Sequence, residues 1–174
     1  MLCLLNCMCR KYYIDLIKHQ ALEKIVHHYS GTISPGNQAP VVVYIQEQYT
    51  MKLMTWGFLL ENRNIYNCRS ETVLEKPFFQ CVYHQRCLVP VSGFYEWNRR
   101  NQPISYELDK PFYLAGIYDH GRFCIVTTKA NSYVKGIHHR MPLVLTGDDV
   151  KKWLSSDFAS VMEIKDYHFH LEMV

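Results

Sequence analysis

A chain of 174 residues, 48% hydrophobic and 20% charged, has the make-up of an ordinary globular protein and is long enough to bury one core. That excludes disordered and fibrous classes, and a formal charge of +3 is too mild to demand a nucleic-acid partner while remaining compatible with one. No stretch reaches the roughly 18–20 apolar residues that span a membrane, and the seven cysteines, odd in number and irregular in spacing, argue against a disulfide framework and for a reducing cytoplasm.

The chain opens MLCLLNCMCRKYY, which lacks a basic n-region and is too short for the apolar run of a signal peptide. Then comes IDLIKHQALEKIVHHYSG, where Ile14, Ile17, Ala21, Leu22, Ile25 and Tyr29 recur at helical spacing. Asp15 is placed to cap this predicted helix and Ser30-Gly31 to end it. After the turn residues SPGNQAP, VVVYI reads as a buried strand, and YTMKLMTWGF continues in strand style to Gly57. LLENRNIYNCRSET is polar and reads as a loop. ETVLEKPFFQCVYH suits a short helix if Pro77 sits at its start. From Cys87 the chain is β-rich, with CLVPV, GFYEW, ISYEL, FYLAGIY and RFCIVTT separated by RRNQP, DKP and DHG turns. Near the end, TGDDVKKWL presents Thr146 as an N-cap with Asp149 three residues on, a capping-box pattern. No repeat or linker interrupts the chain. The expected class is α+β, with a strand-rich, barrel-like core and a few peripheral helices.

Several constellations can carry chemistry. Cys3, Cys7 and Cys9 have C-x3-C-x-C spacing, which fits no usual zinc pattern, and the remaining cysteines never pair as C-x2-C. No metal and no cofactor is therefore expected. Asn67, Arg69 and Glu71 lie together in YNCRSET, Glu96 stands among aromatics in an apolar strand, and His138 precedes a basic residue and a proline in GIHHRMP. Each alone has a bland reading, as an exposed strand residue or a loop histidine.

Together, MCRKYYID, TWGF, NCRSETVLEKPFF, CLVPVSGFYEW, IVTTKAN and GIHHRMPLVL, in this order, resemble the SRAP (SOS-response-associated peptidase) family. The resemblance runs from about Met8 to Trp153. It implies a single SRAP domain over residues 9–174, preceded by an extension of residues 1–8. It implies further a DNA-repair protein, monomeric and acting in the cytoplasm on the nucleoid, that covalently captures abasic sites in single-stranded DNA. By resemblance, Cys9 is the crosslinking residue, Glu96 assists proton movement at its amine, Asn67 positions amine and sugar, and His138 helps open the deoxyribose. Lys11, Arg69, Thr127 and Arg140 are the implied DNA contacts.

The chemistry suits these residue types. The open abasic sugar exposes an aldehyde; an amine attacks it, and a thiol on the same residue closes a five-membered thiazolidine. An N-terminal cysteine carries both groups, with reference pKa values near 8 for the amine and about 8.5 for the thiol, so both are partly available at neutral pH. Three features depart from the family pattern. Arg10 replaces the glycine after the cysteine, the segment from Trp56 to Asn67 is short, and Cys9 is not at position two, so a chain begun at Met1 keeps its nitrogen in an amide. Two other functions compete: a cysteine autopeptidase that cuts before Cys9, and a single-stranded DNA binder without covalent chemistry.

Overall fold

The structure is a computed structural model that describes residues 9–15, 30–61 and 63–174. It is dominated by β-strands. In chain order these are β1 (Tyr12–Ile14), β2 (Gly31–Ile33), β3 (Gln38–Ile45), β4 (Gln48–Trp56), β5 (Phe58–Leu60), β6 (Arg63–Ile65) and β7 (Asn67–Arg69). Helix α1 (Pro77–Val82) separates them from β8 (Arg86–Trp97), β9 (Pro103–Asp119), β10 (Arg122–Lys129), β11 (Arg140–Pro142) and β12 (Val144–Leu145). A second helix, α2 (Asp149–Trp153), a 3₁₀ turn (Phe158–Val161) and β13 (His170–Met173) complete the described chain.

The large sheet curls until its pairings close on themselves. β8 pairs β9, β9 pairs β10, β10 pairs β4, β4 pairs β3, and β3 returns to β8. The α+β, barrel-like class expected from the sequence is therefore found, with the helices short and peripheral. The residues facing inward explain the curl. Ala39–Val43 of β3 are buried in a continuous run, as are Cys87–Phe94 of β8. The core gathers Trp56, Trp153, Tyr12, Tyr106, Phe94, Phe112 and Phe123, all essentially inaccessible. Burying aromatics of this size contributes much of the gain that offsets chain ordering.

Local chemistry sets the turns. Gln46 and Glu47 (φ 50° and 62°) and His120 and Gly121 (φ 44° and 73°) supply the paired positive φ values of tight hairpins joining β3 to β4 and β9 to β10. Gly57 has φ 119°, and a Cβ there would lie 1.7 Å from Asn64 Oδ1. Glycine is thus required where β4 gives way to the β5–β6 hairpin.

Several expectations are refined. The predicted loop 59–72 instead holds the end of β5, β6 and β7. Glu61 (φ 46°) turns β5 back on β6, and β7 finds a parallel partner in β10 that local sequence cannot reveal. The DKP turn is absent because ISYEL and FYLAGIY belong to one long strand, β9. Pro111, which has no N–H to give, falls where the β8–β9 register skips from Glu107 to Phe112. Pro77 does open α1 as its first residue. The predicted Thr146 capping box does not form. Asp148 is the N-cap residue of α2, and the Asp149 carboxylate is taken by Lys165 Nζ instead. Of the predicted helix beginning at Ile14, Ile14 itself belongs to β1, and Ile17 through Tyr29 lie outside the described residues. No described helix is long and apolar enough to cross a membrane.

Candidate active site

The strand order brings distant segments to one place. β1 runs antiparallel to β8, with Tyr12 opposite Phe94 and Tyr13 opposite Gly93. The Tyr95 N–H donates to the Lys11 carbonyl at 3.0 Å, which continues the alignment and sets Cys9 alongside the Glu96 end of β8. Tyr12 anchors this arm by packing on Trp56, ring centroids 5.1 Å apart. Trp56 is wholly buried and its indole N–H donates to the Tyr66 carbonyl at 2.8 Å, so it is a core residue, as its strand position suggests. β10 carries β7 on one edge and β11 on the other, with Thr127 aligned to Arg69 and to Pro142. Asn67 and His138 thus approach the Cys9–Glu96 pair from opposite sides of one strand.

Glu96 is the hub. Its Oε1 accepts the Cys9 backbone N–H at 3.2 Å, and its Oε2 lies 3.9 Å from His138 Nδ1. Its side chain is only 1% exposed. Burial lifts its carboxyl to about 8, against the smaller opposing pulls of the Cys9 N–H and the Arg10 charge. Asn67 Nδ2 donates to the Cys9 carbonyl at 3.0 Å, so both faces of the Cys9 backbone are held. The Cys9 thiol is buried, and burial followed by the Glu96 charge pushes it well above its ordinary range. The Lys11 backbone N–H works weakly in the other direction. A thiol so placed is neutral at rest and needs its proton moved before or as it attacks.

His138 is oriented by the backbone of Arg140, whose carbonyl lies 3.0 Å and whose N–H lies 3.2 Å from Nδ1. Arg140 is itself fixed from below. Its guanidinium forks onto Glu71 at 2.6 and 2.9 Å and donates to the Thr127 carbonyl at 2.7 Å. Those bonds hold the Glu71 carboxyl below its usual range. Thr127 is wholly buried and donates its hydroxyl to the Cys68 carbonyl at 3.1 Å. His139 stacks beside His138 with centroids 4.6 Å apart, and burial together with His138, Arg140 and Arg69 lowers its pKa.

The structure therefore brings Cys9, Asn67, Glu96 and His138 together. It divides the residues expected to touch DNA. Arg69 is exposed and Lys11 half-buried at the surface, whereas Thr127 and Arg140 are buried, the Thr127 hydroxyl on the Cys68 carbonyl and both terminal nitrogens of Arg140 on Glu71. The physical reason is Glu71, which captures the Arg140 fork and draws it beneath the site. Glu71 was visible in the sequence, but a partner 69 positions away leaves no local signal. The contacts of Trp97 are hidden in the same way: the Arg10 guanidinium lies over its ring at 5.0 Å and Lys11 Nζ at 6.0 Å. Among the described residues no group of at least three His, Cys, Asp or Glu side chains is arranged to hold a metal ion. Cys3 and Cys7 lie outside the described residues.

The same fold and sequence pattern recur elsewhere. The family model for SOS response associated peptidase (SRAP) matches residues 8–172. The chain is 36% identical over 149 residues to the abasic site processing protein YoaM of Bacillus subtilis, covering 72% of this chain and 66% of that one. It is 28% identical over 159 residues to YoqW, an abasic site processing protein of the same species, covering 78% and 71%. With the abasic site processing protein HMCES of Gallus gallus the identity is 33% over 131 residues, covering 55% of this chain and 38% of that one. A crystal structure of a Bordetella bronchiseptica protein superposes with a TM-score of 0.78 at 17% identity, covering 95% of this chain and 99% of its own. One from Bacteroides thetaiotaomicron gives 0.72 at 23%, covering 97% and 92%. A buried cysteine held by Glu96 and Asn67, on this curled sheet and within a match that spans nearly the whole chain, places the protein in a family: it belongs to the SOS response associated peptidase (SRAP) family.

Proposed function

We propose that the protein captures abasic sites in single-stranded DNA by forming a thiazolidine with Cys9. The observation that carries this reading is the Glu96 carboxyl set against the Cys9 nitrogen, 3.2 Å away, in a buried site. Relatives named abasic site processing proteins support it.

The reaction needs a free α-amine at Cys9. Once free, the amine nitrogen adds to C1′ of the ring-opened sugar, and loss of water gives an imine. The Cys9 sulfur then adds to the same carbon, the thiol proton passes to nitrogen, and the five-membered ring closes. Glu96 moves protons at nitrogen throughout, being near enough to neutral pH in its titration to give and take them. His138, 3.9 Å from Glu96, extends this proton path toward the sugar hydroxyl. Asn67 holds the Cys9 carbonyl and so fixes both nucleophiles on one carbon, which makes closure effectively unimolecular. The raised thiol argues for this order of events, with the amine attacking first and the sulfur closing onto an activated imine. Lys11 and Arg69 receive backbone phosphates. Arg140 and Thr127 act from beneath, setting His138 and the strand pairing.

The same geometry supports a preparatory step, the autopeptidase reading. Cys9 Sγ attacks the Met8 carbonyl, the C–N bond breaks, a Glu96 carboxyl that is largely protonated at neutral pH gives its proton to the departing nitrogen, and the carboxylate so formed takes the thiol proton. Water then hydrolyses the thioester and residues 1–8 leave. The test is incubation with a single-stranded oligonucleotide bearing one abasic site. A denaturation-resistant adduct is expected from the parent and none from Cys9→Ser; equal adduct from both would refute the reading.

A further inference from the structure

Arg10 follows the reactive cysteine, at a position where the family pattern has glycine. Its guanidinium lies over the Trp97 ring, 5.0 Å from the centroid, and Lys11 Nζ lies 6.0 Å from the same centroid. Among the described residues the Arg10 guanidinium pairs with no carboxylate and donates no hydrogen bond. A guanidinium laid over a ring keeps its N–H donors in its own plane, pointing outward past the ring edge. Two cations gathered at one ring also repel each other unless an anion lies between them. The Arg10 charge is felt by the Glu96 carboxyl, but that group is buried and accepts the Cys9 N–H, so it offers no surface counter-charge.

We propose that Arg10, held on Trp97, forms with Lys11 a phosphate subsite for the nucleic-acid backbone at the lip of the Cys9 site. A sugar whose C1′ meets the Cys9 nitrogen carries its phosphates about one sugar width away, within reach of a side chain rooted on the next residue. Arg10 then supplies the bidentate fork that Lys11 lacks. Trp97 contributes by limiting the rotamers of Arg10 before DNA arrives, which reduces the ordering cost of the contact.

This inference rests on the DNA-binding reading above, and the experiment separates the two. Binding of an undamaged single-stranded oligonucleotide to the full chain is followed by fluorescence anisotropy over a range of salt concentrations. Arg10→Gly restores the family residue and is expected to melt with the parent. It should weaken binding at low salt about tenfold and reduce the slope of log affinity against log salt by about 0.7, the increment for one phosphate contact on a single strand. Arg10→Lys should keep the slope and lose less affinity. An Arg10→Gly variant with the parent's affinity and slope overturns the subsite, as does one that binds more tightly, which would make the side chain an obstruction. If the parent forms an adduct with abasic DNA in those cases, the capture reading stands without the subsite. If the parent forms none while Arg10→Gly still loses its salt-dependent contact, the subsite stands and the capture reading falls.

Discussion

Glu96→Gln keeps the outline of the side chain and removes its titration. In the parent, burial raises the carboxyl from an ordinary 4.5 to about 8. The sign follows from proton counting. Between those values the folded protein holds a proton that the unfolded chain has released, so stability falls as pH rises through the window and levels off above it. Each tenfold change in proton affinity is worth about 1.4 kcal/mol, which makes the full loss about 5 kcal/mol and the part falling between pH 5 and 8 about 3 kcal/mol. The glutamine variant has no such dependence at this site. Urea unfolding of both proteins at several pH values isolates the effect, because titrating groups that do not feel Glu96 cancel in the difference, and Cys9 and Tyr106, which do, are raised above this window. The parent should lose about 3 kcal/mol relative to the variant between pH 5 and 8. Parallel pH profiles would refute the buried, proton-holding carboxyl on which the proposed chemistry depends. The same variant should form adduct at least about 100-fold more slowly, the usual contribution of a positioned acid–base group.

Asn67→Ala removes the bond that holds the Cys9 carbonyl at 3.0 Å and should slow adduct formation about tenfold or more while leaving the affinity for undamaged DNA unchanged. Glu71→Gln leaves the buried Arg140 guanidinium without its counter-charge. It should destabilise the fold by about 2 kcal/mol in urea unfolding at neutral pH, less than for a fully buried pair because the Glu71 side chain is 37% exposed. Because Arg140 holds the Glu71 carboxyl below its usual range, the parent's advantage over this variant is present above the ordinary carboxyl pKa and lost as pH falls through the depressed one.

What the sequence made legible was whatever has a local physical cause. A buried β-branched run announced β3, and apolar, aromatic-rich segments between turn residues announced β8 to β10. Pro77 marked the start of α1, and Asp119-His120-Gly121 marked a hairpin. What it hid was pairing. β7 reads as a polar loop because its partner, β10, is 58 positions away at Asn67 opposite Ile125. The Thr146 cap fails because Lys165, remote in sequence, claims Asp149. The site followed the same division. Cys9, Asn67, Glu96 and His138 were found through ordered motifs rather than spacing, and the structure brings them together. Thr127 and Arg140 lie in the same motifs, but only the three-dimensional contacts, Thr127 with the Cys68 carbonyl and Arg140 with Glu71, reveal that they are turned inward. Arg10 departs from the glycine of the family pattern, and its place over the Trp97 ring gives it a defined position.

The most direct test of the capture chemistry is the intact mass of the full chain after incubation with a single-stranded abasic oligonucleotide. The expected product is a species equal to residues 9–174 plus the oligonucleotide minus one water, formed without any reductant and lost in Cys9→Ser. An adduct that keeps residues 1–8, or one that survives only after borohydride reduction, would contradict a thiazolidine at a freed Cys9.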